Sequence, residues 1–375
     1  MIDQNYKHRN PLIITPMGNF LQTIGDAHLG RVFKNDVPLD RRGDYEQYQY
    51  EKLQELLWAK PKFTNTETLL SSEIKGRYVK AQVGDWFDKP VVTLNVIQQS
   101  VDTLEQYAQE HEDKEELFIL SGNHDDAKNV TDTTAWDLLA STLRSSVYNS
   151  ESTVTFVKDY EVYEYANGEE ILFIGWNIAT NACSALLRAL EAGHKSITTV
   201  VCHLDKISYG NDENVIPYEF FASHGIKLVV SGHEHKPYHF HDSGMEIIGT
   251  GSLLPFSHAE DDGEEIYVTL HSINEYEDYL IDNDVTDKHI RLILDEDDQK
   301  RVDELNNVQS LSLKIVKKGV AVEVLDMDNS GVSQVTLEAY DAKSVWENAV
   351  AETGLEPVTG KLVWQEIQSK GDSDD

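Results

Sequence analysis

Five short segments of this 375-residue chain concentrate side chains able to do chemistry. They are Gly25-Asp26-Ala27-His28, Gly84-Asp85-Trp86-Phe87-Asp88, Gly122-Asn123-His124-Asp125, Cys202-His203 and Gly232-His233-Glu234-His235. Together they offer carboxylate, amide and imidazole donors and need no thiolate. That mixture suits manganese, iron or zinc and disfavours a structural zinc site built on cysteines. Each segment alone is weak. A single His at a strand end is more often hydrogen-bonded structure than a ligand, and a Gly-Asp pair is usually a turn. His233 and His235 say more, because i, i+2 spacing on a loop lets both rings reach one cluster. The ordered set of five is specific.

The elements that must carry these segments alternate between strand and helix. Residues 20–24 read as a buried strand running into Gly25-Asp26. Residues 78–83 form a strand ending at Gly84-Asp85, and 116–120 one ending at Ser121-Gly122. Residues 197–202 and 226–230 are continuous β-branched runs, the style of strands buried on both faces. Further strands are expected at 154–165, 171–176, 247–249, 265–270, 291–294, 311–316 and 321–324, with a turn at Asn167-Gly168. Residues 238–241 read as a strand rather than as further ligands. Helical spacing of apolar residues places helices at 45–59, 91–111, 136–143, 181–192 (stopped by Gly193) and 343–351. In open α/β sheets ligands sit outside the carboxyl ends of the strands, which is where the five segments fall.

Composition bounds the function. With 40% apolar residues a sizeable core is expected and global disorder is excluded. No stretch approaches the roughly 20 apolar residues of a membrane span, and the N-terminus lacks the build of a secretory signal. Two cysteines cannot make a disulfide framework; a reducing, cytoplasmic setting is expected. The formal charge of −34 argues against DNA binding through a basic face. Residues 260–304 alone hold 17 acidic against 4 basic side chains, whereas 31–42 hold four basic and two acidic.

The order Asp-x-His, Gly-Asp-x-x-Asp, Gly-Asn-His-Asp, His, Gly-His-x-His resembles the calcineurin-like metallophosphoesterase superfamily. Asp26-Ala27-His28-Leu29-Gly30, the Gly-Asp-Trp-Phe-Asp run at 84–88, the GHEHKP run at 232–237 and the GTGSLLPFSHAE run at 249–260 resemble the double-strand-break repair nuclease SbcD and its relatives, phage recombination endonuclease subunits most of all. The likeness covers about residues 19–270. It implies a two-sheet α/β/β/α sandwich followed by a small α+β capping domain. It also implies two divalent metals, manganese first, with magnesium, iron or zinc as alternatives. Asp26, His28, Asp85 and His235 would hold one; Asp85, Asn123, His203 and His233 the other, with Asp85 bridging. Two such ions roughly 3.5–4 Å apart clamp a phosphate and activate water near neutral pH. His124, next to a ligand, is the candidate proton donor to the leaving group, oriented by Asp125 or Asp88. Asp88 has a second reading as a helix N-cap before Pro90.

The implied activity is exonuclease action on double-stranded DNA and endonuclease action on single strands, by a homodimer joined to an SMC-like ATPase subunit. The alternatives are a phosphoesterase acting on nucleotides or phosphoproteins, and a metal-free scaffold of the same fold. On this reading 1–18 is an N-terminal extension, 19–280 the nuclease domain, 281–335 the cap, and 336–375 a helical segment that docks on the ATPase, with a tail. Residues 61–76 look like an insertion. Arg31, Lys34, Arg41 and Arg42 are candidates for DNA backbone contacts, or an ordinary solvated loop. Trp86 and Phe87 are candidates for base stacking, with core packing the stronger reading for Phe87. Cys202 reads as a small buried residue.

Overall fold

Alternation along the strands sets the layers. In β1 (Leu12–Ile14), β2 (Phe20–Ile24), β3 (Tyr78–Gln82), β4 (Glu116–Leu120) and β5 (Thr153–Val157), successive side chains go to opposite faces. Leu21, Val79, Ala81, Phe118, Leu120 and Val157 enter one cluster, while Ile24, Leu117 and Ile119 enter another. These five strands form a sheet in that order, parallel except for β1. A second sheet has the order β10-β11-β9-β8-β7-β6. Its strands are β6 (Tyr160–Glu164), β7 (Glu170–Ile174), β8 (Ile197–Cys202), β9 (Leu228–Ser231), β10 (Tyr238–Asp242) and β11 (Met245–Gly249). Phe173, Val201, Leu228, Val230 and Ile248 of this sheet join the cluster of Leu21 and Phe118.

The two sheets therefore pack face to face. Phe118 stacks on Phe173 across the layer, with centroids 4.1 Å apart and planes 7° apart. Phe118→Ala would cost about 3–5 kcal/mol. Helices α1 (Asp44–Trp58), α2 (Leu94–Glu110) and α3 (Ala135–Ser146) cover the outer face of the first sheet. Helices α4 (Ala182–Glu191) and α5 (Tyr218–Ser223) cover that of the second. The architecture is the expected α/β/β/α sandwich. A third sheet of parallel strands β12 (Tyr267–Leu270), β13 (His289–Leu294) and β14 (Ser312–Lys317) follows, with helices α6 (Ile273–Asp282) and α7 (Glu296–Gln299) between them.

The computed structural model describes residues 9–33, 37–59, 78–110, 116–127, 132–146, 153–176, 181–208, 214–260, 266–302, 305 and 310–317. They belong to one unit, residues 1–323; a second unit, 324–375, lies outside them. So do Lys34, the apparent insertion at 61–76, the strand expected at 321–324 and the C-terminal helical segment. Among the described residues no helix is long and apolar enough to cross a membrane.

Four elements differ from the sequence reading. The single strand expected at 154–165 is two strands in different sheets, β5 and β6, because the chain turns at Lys158-Asp159 and crosses the sandwich. Helix α6 lies in the acidic run, where Ile273 and Tyr276 make a narrow buried stripe among carboxylates. The six-residue helix α5 was too short to show a period. Residues 12–14 are not a loose extension: they pair antiparallel with β2.

Candidate metal centre

All five segments meet at the carboxyl ends of β2, β3, β4, β8 and β9. The backbone bends sharply to bring them there. Among the described residues only five non-glycine residues have positive φ, and three are His28 (46°), Asp85 (51°) and His233 (74°). Such conformations cost on the order of 1–3 kcal/mol each and cluster at functional sites. Two glycines are dictated by closeness. A Cβ on Gly122 would sit 2.0 Å from Asp85 Oδ1, and one on Gly84 (φ +107°) 2.2 Å from His203 Nδ1.

Three of the imidazoles, His203, His233 and His235, share one arrangement, in which the outer nitrogen is held and the inner one faces the cluster. His203 Nδ1 donates to the Val83 carbonyl at 2.8 Å. Its Nε2 faces Asn123 Oδ1 at 3.0 Å and Asp85 Oδ2 at 3.4 Å. His233 Nε2 lies 2.7 Å from Asp205 Oδ1, while Nδ1 faces Asn123 Oδ1 at 3.0 Å and His203 Nε2 at 3.3 Å. His235 Nδ1 lies 3.1 Å from Glu260 Oε1, while Nε2 faces His28 Nε2 at 3.0 Å. Imidazole nitrogens and acceptor oxygens brought this close need a cation among them, a proton or a metal ion. Carboxylate or carbonyl partners on the far nitrogen are how metal-binding histidines are oriented. The donor set therefore fits divalent metal ions. Three groups have ligand atoms mutually within 4.8 Å: Asp26, His28 and His235; His28, Asp85 and His124; and Asp85, His203 and His233.

The carboxylates tell the same story. Asp26 is fully buried, and burial together with the charge of Asp85 pushes its pKa well above the usual carboxylate value, against a hydrogen bond from the His233 amide. Burial alone would raise Asp85 too, but His203, by charge and hydrogen bond, and then His28 and His124 hold it below the usual range. Burial lowers His28, with Asp85 opposing and His235 and His124 adding to the fall. Burial would lower His233, but its bond to Asp205 lifts it above its ordinary value.

A family model of calcineurin-like phosphoesterases matches residues 23–237, more than half of the chain and all five segments. The chain belongs to the calcineurin-like phosphoesterase family. It is thus a metal-dependent phosphoester hydrolase by family. No curated protein matches it. A solved structure titled "GAP50 the anchor in the inner membrane complex of Plasmodium" aligns at 16% identity over 62% of this chain and 71% of that one, with a TM-score of 0.35; a likeness that slight carries no argument.

In this phosphoesterase His124 stands at the cluster edge, its ring centroid 4.7 Å from that of His28. Its Nδ1 meets the main-chain carbonyl of Asp88 at 2.7 Å, and its amide donates to Asp85 Oδ1 at 2.8 Å. Asp125 does something else. Its buried carboxylate accepts from the amides of Trp86 (3.0 Å), Phe87 (2.8 Å) and Gly122 (2.9 Å), tying the second segment to the third. The Asp88 carboxylate lies 3.8 Å from His28 Nδ1 and 4.0 Å from the Arg31 guanidinium. Because α2 begins at Leu94, Asp88 does not cap it. Trp86 and Phe87 are fully buried core residues, which removes them from base stacking. Arg41 is bound to Asp44 (2.6 Å) and to the Thr286 carbonyl (2.8 Å). Residues 238–241 are strand, as expected, and Cys202 is buried, its thiol pushed up to about 12 by burial.

Sequence reasoning passed over three residues around the phosphoesterase site and quoted a fourth, Glu260, only as the end of a motif. Asp205 and Glu260 hold the outer nitrogens of His233 and His235. Trp176 stacks on His233, with centroids 5.8 Å apart and planes 22° apart. Arg9 reaches the loops behind His235. Asp205, two residues after His203, had a signal in its spacing; Arg9 had none.

Proposed function

We propose that this chain is a two-metal DNA nuclease, the nuclease subunit of an SbcCD-like recombination and repair complex. Asp26, His28, Asp85 and His235 would hold one divalent ion and Asp85, Asn123, His203 and His233 the other. Such ions, manganese by preference, clamp a scissile phosphate and make water a competent nucleophile near neutral pH. The chain's own residues do the rest. Asp85, common to both sets, would be shared between the two ions. His124 gives its Nδ1 hydrogen to the Asp88 carbonyl, so only Nε2 is left to exchange a proton with substrate. In its protonated form it donates from Nε2 to the leaving oxygen, a contribution of about 10²–10⁴ in rate.

The observation that carries the nuclease reading over other phosphoesterases is the place of the 249–260 segment, the run that resembles SbcD. It is built into the site wall: the Leu253 amide donates to the Asp26 carbonyl at 2.8 Å, and Glu260 holds His235 at 3.1 Å. The proposal includes a homodimer and an SMC-like ATPase partner whose basic surface offsets the −34 charge on DNA.

The test is hydrolysis by the purified protein with manganese, on linear double-stranded DNA and bis-p-nitrophenyl phosphate side by side, with His124→Ala as control. Cleavage of both, lost in the variant by about 10²-fold or more, is expected. Ester turnover with intact DNA, even after a candidate ATPase is added, would replace the nuclease by a small-substrate phosphoesterase. Absence of turnover and of bound metal would replace it by a scaffold.

A further inference from the structure

The segment ahead of β1 resembles nothing in the sequence comparison above, yet its first described side chain is among the most connected near the site. Arg9 is buried, with only 7% of its surface exposed. Its Nη1 donates to the His235 carbonyl at 2.6 Å, to Ser252 Oγ at 2.7 Å and to the Ser252 carbonyl at 3.3 Å. Its Nη2 donates to the Glu260 carbonyl. One planar cation thus ties the main chain of a metal-ligand candidate to the main chain of the carboxylate that orients that ligand. Asn10 (φ 53°) fixes the approach: Oδ1 accepts from the Gly25 amide at 2.7 Å and Nδ2 donates to the Leu253 carbonyl at 3.1 Å.

We infer that Arg9 is a positioning residue for the Asp26–His28–His235 half of the centre, locking the His235 and 252–260 loops in the spacing that lets Glu260 aim His235. The inference rests on the metal-centre reading above. Its physical basis is the fork. A guanidinium can bind several carbonyls in one plane with charge-assisted bonds, whereas an ammonium is a single point donor. Without it, the two loops are still joined here by the Ser252 amide (3.1 Å) and hydroxyl (3.4 Å), both donating to the His235 carbonyl, and by Glu260 itself. In the other half, among the described residues, His203 and His233 are held from outside the cluster by Val83, Asp205 and Trp176 instead.

The full-length protein, stripped of metal, is titrated with manganese by calorimetry and by electron paramagnetic resonance, in wild-type, Arg9→Ala and Arg9→Lys forms. Wild type is expected to bind two ions. In Arg9→Ala the affinity of one of them should fall roughly 10–100-fold, the range for loss of an orienting partner, with the other unchanged. Arg9→Lys should recover only part. Free guanidinium at millimolar concentration should restore the weakened ion in Arg9→Ala and leave wild type unaffected. A purely structural arginine would lower thermal stability and leave both affinities alone, and that result overturns the inference. Equal weakening of both ions, or no rescue, also overturns it. Should Arg9→Ala not fold, Arg9→Lys with unaltered affinity for both ions decides against it. If wild type binds no ion, the metal-centre reading itself fails, a different result from two ions bound indifferently to residue 9.

Discussion

The two halves proposed for the centre draw on similar candidate ligands but are supported differently. Around Asp85, Asn123, His203 and His233, support is local to the sheet: the Val83 carbonyl at the end of β3 and Asp205 just past β8 hold the imidazoles. Around Asp26, His28 and His235, support comes from far along the chain. Glu260 holds His235, Arg9 holds both loops, and Phe256 packs edge-on to His28 (5.2 Å) and His235 (5.5 Å). Behind Phe256 an aromatic series runs through Phe33 and Tyr45 to His289 on β13 of the third sheet. Strand ends are rigid because the ladder fixes them. Loops need cross-braces, so the second kind of half is the one open to tuning from segments distant in sequence.

The comparison breaks first at Asp85, the residue the halves share. Asp85→Asn should lower activity by more than about 100-fold, beyond the roughly 10–100-fold of a supporting group, and should weaken both metals in a manganese titration. Loss of one metal only would show that the halves are not bridged there. Next, Asp205→Asn and Glu260→Gln should each weaken one metal by roughly 10–100-fold, and not the same one. Spectral resolution of the two manganese ions checks this; identical effects would erase the distinction between the halves.

The smallest effect lies at the far end of the aromatic series. His289 stacks on Tyr267 (4.5 Å), its Nδ1 pairs with Ser312 Oγ at 2.7 Å, and burial holds its pKa down at about 4 against an ordinary 6.5. Between those values the unfolded chain binds more protons than the folded one, so stability falls as pH drops through the window. At pH 5.5 the loss is about 1.4 kcal/mol. In urea unfolding with chelator present, His289→Gln should shed that part of the loss between pH 7.5 and 5.5. A variant that keeps the whole pH dependence would show that the third sheet does not contribute it.

Much of this was legible in the chain. Helix α4 shows its limits from both ends, with the Asn181 side chain accepting from the Ser184 amide and Gly193 (φ 106°) beyond the last turn. The run 197–202 could be read because a strand buried on both faces is apolar at nearly every position. Helix α6 was hidden because carboxylates surround its narrow apolar stripe. The break between β5 and β6 was hidden because apolar alternation looks the same on either side of a sandwich. The ligand candidates were visible because Asp, His and Asn in a fixed order have few other reasons to follow strand ends. Their supports were not. Asp205 and Arg9 are ordinary residue types selected only by distance, and Glu260 stood in a motif without a visible role.

From the chain alone came the strand–helix alternation and the five turns carrying candidate ligands, since periodicity and donor chemistry are local properties; the layered fold followed from the family resemblance of those motifs. Only the tertiary structure decided how each imidazole is oriented, that Asp125 serves the backbone, and that a residue ahead of the first strand braces a loop 226 positions away. Hydrogen-bond geometry is set to tenths of an ångström by packing between segments, and no spacing along the chain encodes it.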